Sequence, residues 1–494
     1  MRSHTIKQNH GFIGRKRELN ILQKIQEAKE SAIVVVHGRR RVGKTELIEQ
    51  FYRKHLVFKF EGLQVASELQ QLSECVSRLG SYLEQEHLFS HISCKSWSEF
   101  FKILSPIAEK QEVVLYFEEL QWLCSYQDNF LAEMKPFWDD KWRHNQKLKI
   151  VFSGSSPSFI MKQFFSDKAL YNRSVHTISL APFSMEEISA FLGKLGKQEK
   201  LLAALAIGGI PEYLKQIKKT SSVYLGLCEK SFTLNGFFFE EYPRIFVSSM
   251  SHYSAYKKII EELAKNKHLT RDELAKKIIG TERPGGHFSS VLDDLEMCGF
   301  IRAYSPVQIQ GGRNIRRYMI DDEYLNFYHN FIRPKAKAIK DKRFEKDAMM
   351  ALNKQQFQIA LGFSFERWCR KNYHLFAEIL GFSAVEYDAG AFYNRALSTD
   401  KTDKMKKGFQ IDLVYLRKDH KIIIAEIKLG SKLQENKLKN EISEKVSIFL
   451  EHCPKYKNYT IETLLIVGEA LSVHDRTKWK TIFDHVIDLD HYVN

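Results

Sequence analysis

Eight consecutive residues, Gly38, Arg39, Arg40, Arg41, Val42, Gly43, Lys44 and Thr45, follow the pattern G-x-x-x-x-G-K-[ST]. Small residues in such a loop let main-chain N–H groups wrap phosphates, Lys44 supplies a point charge to β and γ oxygens, and Thr45 offers a hydroxyl to Mg²⁺. The chemistry implied is binding of ATP with Mg²⁺. The apolar run Val113 to Phe117 ends in Glu118 and Glu119. Glu118 is expected to hold Mg²⁺, mostly through water, and Glu119 to polarise an attacking water, although two acids can also be only a solvated strand end. Ser155, in the turn Gly154-Ser155-Ser156, offers a hydroxyl that could sense the γ-phosphate; such a turn is otherwise an ordinary loop. Arg173 is a candidate γ-phosphate arginine, in cis or across an oligomer interface, against the plainer account of a surface ion pair.

A second group of residues lies near the other end of the chain. Asp412 falls in the strand-like run Phe409 to Leu416, and Glu426-Ile427-Lys428 in the run Lys421 to Leu429. Alternation along a strand puts Glu426 and Lys428 on one face. A carboxylate and an ammonium on a covered face are costly unless a metal or mutual pairing compensates them. Phosphodiester hydrolysis uses that grouping: Asp412 and Glu426 would bind Mg²⁺, Lys428 would orient the attacking water, and Glu366 on an earlier helix would complete the site. An Asp followed by Glu-x-Lys also arises in ordinary strands.

These residues need elements to position them. From about residue 12 to 180, strand-like runs alternate with helical patterns, the arrangement of a parallel sheet covered by helices. The candidate strands are Ala32 to His37, Leu56 to Phe60, Val113 to Phe117, Lys149 to Ser153 and His176 to Leu180. Short amphipathic helices follow. Residues 253 to 318 then give three helical patterns, a strand, a Gly-containing turn and a second strand, the order of a winged helix. The expected fold class is therefore α/β, with a P-loop ATPase core at 1–181, a helical lid at 182–250, a winged helix at 251–332, a basic linker at 333–350 and a second α/β domain at 351–494. Thr270 is expected to cap the helix Arg271 to Ile279, and Phe288 to Cys298 to be a recognition-type helix with a basic wing at Gly311, Gly312, Arg313, Asn314, Arg316 and Arg317. Asp293, Asp294 and Glu296 on that helix oppose a polyanion, which leaves DNA reading and protein docking both open.

The 494 residues exceed one hydrophobic core, and the longest apolar runs are far too short to span a bilayer. No export signal is read at Met1 to His10, so a cytoplasmic protein is expected, with its seven scattered cysteines reduced. A net charge of +15 favours polyanionic partners, DNA first among them.

Residues 12 to about 330 resemble the archaeal-type ATPase family, a branch of the AAA+ and STAND-like P-loop proteins. The likeness is carried by Phe12-Ile13-Gly14-Arg15 with Glu18-Leu19, by the phosphate loop with Glu46-Leu47, by the acids with Leu120-Gln121, and by Gly208-Gly209-Ile210-Pro211. It implies that Phe12, Gly14 and Arg15 lie near the adenine and that Pro211 belongs to a segment coupling the lid to the nucleotide. The departure is Glu118, where the family has Asp. The order Glu366, Asp412, Glu426-x-Lys428 resembles the PD-(D/E)XK nuclease superfamily, which implies a restriction-endonuclease-like domain. The expected function is an ATP-regulated, Mg²⁺-dependent DNA nuclease. The rival expectation is a STAND-like signalling switch in which nucleotide state drives assembly into a homo-oligomer and the C-terminal domain only contacts DNA or partners.

Overall fold

The computed structural model describes residues 9, 11–124, 129–166, 175–247, 253–266, 268–281, 285–304, 316–394, 409–430 and 432–493. Arg173 and the expected wing tip, Gly311, Gly312, Arg313 and Asn314, lie outside the described residues.

Strands β1 (Ala32–His37), β2 (Val57–Glu61), β3 (Val114–Glu118), β4 (Lys149–Gly154) and β5 (Val175–Ser179) form a parallel sheet in the order β2-β3-β4-β1-β5. Each lies within one residue of its apolar run in the sequence. The runs are continuous because the inner strands are covered on both faces. Along β1, Ile33 and Val35 face one core while Val34 and Val36 face another; on β3, Leu115 and Phe117 oppose Val114 and Tyr116 in the same way. Each such side chain, once buried, contributes roughly 1.5–3 kcal/mol. Phe117 stacks between Phe60 and Phe152, with centroids 5.3 and 5.4 Å away. This stack fixes the register of β2, β3 and β4, and so the level at which Glu118 leaves the sheet.

Five helices without an intervening strand follow: Met185–Leu192, Lys197–Ile207, Pro211–Ile217, Val223–Phe232 and Phe237–Val247. Helices Tyr253–Lys265, Arg271–Ile279 and Gly286–Met297 then accompany an antiparallel sheet of β6 (Leu269–Thr270), β7 (Ile301–Tyr304) and β8 (Arg317–Ile320), ordered β6-β8-β7. Thr270 caps Arg271–Ile279 in a reciprocal capping box with Glu273. The basic stretch after residue 332 is more than a spacer. It forms the turn Arg333–Lys335 and the helix Ala336–Lys340, and Ile339 is fully buried among solvated lysines.

The last sheet contains β9 (Tyr387–Asn394), β10 (Phe409–Arg417), β11 (Lys421–Lys428), β12 (Thr460–Val467) and β13 (His485–Ile487), in the order β13-β12-β11-β10-β9. The pairs β9-β10 and β10-β11 are antiparallel; β11-β12 and β12-β13 are parallel. The sequence reading missed β9, which carries the weak strand formers Asp388, Gly390 and Asn394, and β13, which has only three residues. Helix Lys354–Lys371 packs on β10 and β11, and helix Glu435–His452 follows β11.

Candidate functional site

The phosphate loop joins β1 to the helix Lys44–Tyr52. Gly38 has φ +155°, and a Cβ there would lie 2.4 Å from the Leu180 carbonyl oxygen, so the loop can leave the sheet only at a glycine. Gly43, φ +94°, opens the helix. Lys44 is 7% exposed, and its Nζ donates to the carbonyl oxygens of Gly38 (2.9 Å) and Arg39 (3.2 Å). Burial lowers its pKa, while Glu119 and Glu118 oppose that shift. The ammonium is thus bent into the loop that would curl around phosphates.

Thr45 donates its hydroxyl to Glu118 Oε1, which also accepts from Tyr116 OH at 2.9 Å; Lys59 pairs with Glu118 Oε2 at 2.7 Å. Glu118 is longer than Asp, and it reaches the threonine. A hydroxyl beside a carboxylate is a hard-oxygen donor set that fits Mg²⁺, and the loop with its buried Lys44 fits a nucleotide triphosphate. Glu119, in a left-handed conformation at φ +53°, accepts from Ser155 Oγ at 2.7 Å and from Gln121 Nε2 at 2.5 Å. Glu119 and Ser155 therefore share one cluster with Gln121, whose amide also reaches Ser155 at 3.1 Å.

The Phe12 to Arg15 segment sits against the start of the helices that follow the first sheet. Phe12 packs against the main core, and a Cβ on Gly14 would collide with the Glu187 carboxylate. The Arg15 guanidinium donates to Ala181 O (2.7 Å) and Val42 O (2.8 Å) and lies 4.7 Å from the centre of the Phe183 ring. Its main-chain N–H donates to Glu187 at 2.7 Å. Phe183 in turn donates its N–H to Gly209 O at 2.7 Å, and Pro211 opens the next helix. The Gly-Gly-x-Pro turn is thereby tied through Phe183 and Arg15 to Val42 of the phosphate loop.

The three loop arginines each reach a different downstream group. Arg39 pairs with Asp322, donates to Tyr213 OH at 3.3 Å and lies 4.7 Å from the Phe300 ring centre. Arg40 donates to Arg244 O at 3.1 Å, and Arg41 pairs with Glu241 at 2.8 Å. Glu241 also accepts from Tyr213 OH at 3.0 Å. Sequence reasoning missed Lys59, Tyr213, Glu241 and Asp322, and no local pattern marks them.

In the C-terminal sheet Asp412 and Glu426 are 8% and 1% exposed. Asp412 lies at an irregularity of β10 between Ile411 and Val414, where its carboxylate accepts from Ile427 N at 3.4 Å. Glu426 and Lys428 share a face as alternation predicts, with Lys428 Nζ 2.7 Å from Glu426 Oε1. The other oxygen, Oε2, accepts from Lys445 Nζ at 2.5 Å. Burial would raise Glu426, but Lys445 and Lys428 outweigh it and hold its pKa below the usual value. Burial raises Asp412, and burial with the nearby Asp412 charge pushes Glu366 up to about 7. Glu366 pairs with Arg370 at 3.4 Å. Among the described residues no three acidic, His or Cys side chains are gathered as a metal cage. Two carboxylates suffice for Mg²⁺, which keeps several waters. Lys445 was missed because Glu444-Lys445 reads as the solvated face of a charged helix.

Helix Gly286–Met297 packs against Pro157–Met161 of the first unit. Two of its acids serve internal contacts: Asp294 accepts from Tyr256 OH at 2.8 Å, and Glu296 accepts from Ala303 N at 2.8 Å and pairs with Arg316 at 3.5 Å. Arg317 contacts His268 at 2.8 Å. These contacts account for two of the three acids on the expected recognition helix; Asp293 is exposed.

Residues 12–217 match the family model of an ATPase domain predominantly from Archaea. A protein of Methanocaldococcus jannaschii described as uncharacterized is 25% identical over 360 residues, 72% of this chain and 76% of that protein. An uncharacterized ATP-binding protein of the same organism is 42% identical over 40 residues, 8% of this chain and 68% of its own. Among solved structures, a Walker-type ATPase of Pyrococcus abyssi aligns with a TM-score of 0.47 at 19% identity, covering 67% of this chain and 99% of that one. Cdc6p of Pyrobaculum aerophilum aligns at 0.33 and 12%, covering 67% and 97%. The family match supports the archaeal-type ATPase family for the first part of the chain, which carries an ATPase domain. Among the described residues no helix is long and apolar enough to cross a membrane.

Proposed function

We propose that this protein binds and hydrolyses ATP with Mg²⁺ at the phosphate loop and couples that site to a Mg²⁺-dependent phosphodiester centre at Asp412, Glu426 and Lys428, with DNA as substrate. The observation that carries the second half is the buried Glu426 carboxylate bridged to Lys428 beside Asp412. Buried ionised groups of this kind are costly and recur where chemistry needs them. In the first site Lys44 neutralises phosphate charge, Thr45 and Glu118 hold the cation, Glu119 orients the attacking water, and Ser155 positions Glu119. When bound, Mg²⁺ supplies charge neutralisation at the transferring phosphoryl group. In the second site Asp412 and Glu426 would hold the cation, and Lys428 would orient water and stabilise charge developing on the phosphate.

The units we read as a lid and a winged helix are the route of coupling, since Arg39, Arg40 and Arg41 bind groups in both. These contacts also favour a second reading, in which nucleotide state switches assembly and the C-terminal domain only holds DNA or a partner. Incubation of plasmid and branched DNA with Mg²⁺, with and without ATP, tests the leading reading. Cleavage by wild type that is lost in Lys428→Ala supports it. Equal background cleavage by both in every nucleotide state rejects it. A change of mass between ADP and a nonhydrolysable ATP analogue, without cleavage, selects the switch.

A further inference from the structure

A cavity of about 760 Å³ opens between the β7-β8 unit, the connecting helices and helix Lys354–Lys371. That volume suits a nucleotide-sized group. Ile359, Phe363 and Arg367 line it at four-residue spacing, hence on one helix face, and Glu366 lines it beside them. Ile359 and Phe363 are large apolar side chains left 57% and 44% exposed, unusual on a helix that otherwise packs against a sheet.

Charge in the cavity is unevenly committed. Its acids are engaged: Asp321 pairs with Lys371 at 2.8 Å, Glu323 with Lys371 at 3.9 Å, and Glu366 with Arg370 at 3.4 Å. Arg367 has a different partner, the neutral Ser364 hydroxyl at 2.9 Å, and among the described residues no carboxylate lies within ion-pair distance of it. Gln356, Asn330 and Gln410 add hydrogen-bonding amides to the same wall. An exposed aromatic, a guanidinium bonded only to a neutral hydroxyl among the described residues and side-chain amides together match an unstacked base with its phosphate.

The geometry points to this cavity as a binding site for an unpaired stretch of nucleic-acid strand, with Phe363, one helix turn before Glu366, stacking on a base and Arg367 holding the adjoining phosphate. The assignment deepens the phosphodiester reading of the C-terminal centre and rests on it for its role. Binding itself needs no cleavage. A duplex keeps its bases stacked and cannot offer a face to Phe363, so selectivity for single strands follows.

The test uses the full chain in EDTA, with fluorescence anisotropy of labelled oligothymidine of about ten nucleotides and of a duplex of equal length. The single strand is expected to bind more tightly than the duplex, and Phe363→Ala to weaken it about tenfold without any change of charge. Arg367→Gln is expected to weaken it comparably and to reduce its salt dependence. Phe363 is exposed, so its variant keeps the fold; the Arg367 variant is checked by thermal melting. Wild-type affinity in a folded Phe363→Ala protein overturns the site, as does equal affinity for duplex and single strand, or displacement of the oligonucleotide by thymidine monophosphate at equal concentration. Should Lys428→Ala cleave as wild type does while these binding results stand, the cleavage reading fails and the binding site survives.

Discussion

Arg39, the residue after the first glycine of the phosphate loop, forms a buried ion pair with Asp322, 283 positions further along the chain. The guanidinium is also covered by Tyr213 and Phe300. The loop that would meet phosphate is thereby fastened to the turn that follows β8. Removing one partner strands a buried charge. Asp322→Ala is expected to cost about 3–5 kcal/mol, read as a lower melting temperature by calorimetry. The double variant Arg39→Met, Asp322→Leu should lose less than either single change, because no ion is left uncompensated.

Lys44→Ala removes the ammonium that fills the loop. Calorimetric titration with Mg²⁺-ATP should show affinity reduced by roughly 100-fold or more, about 3 kcal/mol for a lost charge-assisted contact. Unchanged heats of binding would remove the nucleotide site from this loop.

Gly209→Ala tests the path from the turn before helix Pro211–Ile217 to the phosphate loop. A Cβ there would stand 2.2 Å from the Phe183 carbonyl oxygen, a main-chain atom that cannot swing aside. Overpacking of this kind costs about 1–3 kcal/mol. Because Phe183 lies against Arg15, ATP affinity should fall along with the melting temperature, whereas an equally destabilising core change far from Arg15 should lower melting alone.

Lys445→Ala frees one oxygen of Glu426. The fold should lose about 1–3 kcal/mol with the charged hydrogen bond. The vacated oxygen can then accept a cation. Millimolar Mg²⁺ should consequently raise the melting temperature of Lys445→Ala more than that of wild type, with EDTA as the reference.

Glu366 carries a pH signature. Its carboxyl is pushed from 4.5 up to about 7 by burial and by Asp412. Between those values the folded protein binds more protons than the unfolded chain, so stability falls as pH rises through the window. The full effect is on the order of 3 kcal/mol. Glu366→Gln should flatten the pH dependence of urea unfolding from about pH 4.5 to 7. A profile identical to wild type would show that Glu366 titrates normally.

The phosphate loop, the acid pair and the strands of the first sheet were legible in the linear chain because their constraints are local. Main-chain wrapping demands glycines at set spacing, a two-sided buried strand demands an unbroken apolar run, and alternation alone put Glu426 beside Lys428. The strands β9 and β13 were not legible, since a Gly-bearing strand and a three-residue strand gain their stability from neighbours rather than from their own side chains. Tertiary structure alone decided which partners the loop arginines take, that Glu118 reaches Thr45 while Lys59 holds its other oxygen, that Lys445 shares Glu426, and that Arg367 faces a cavity. Charge pairing depends on distance in space. Nothing in residue types sets Asp322 apart from its neighbour Asp321 until the fold carries it to Arg39.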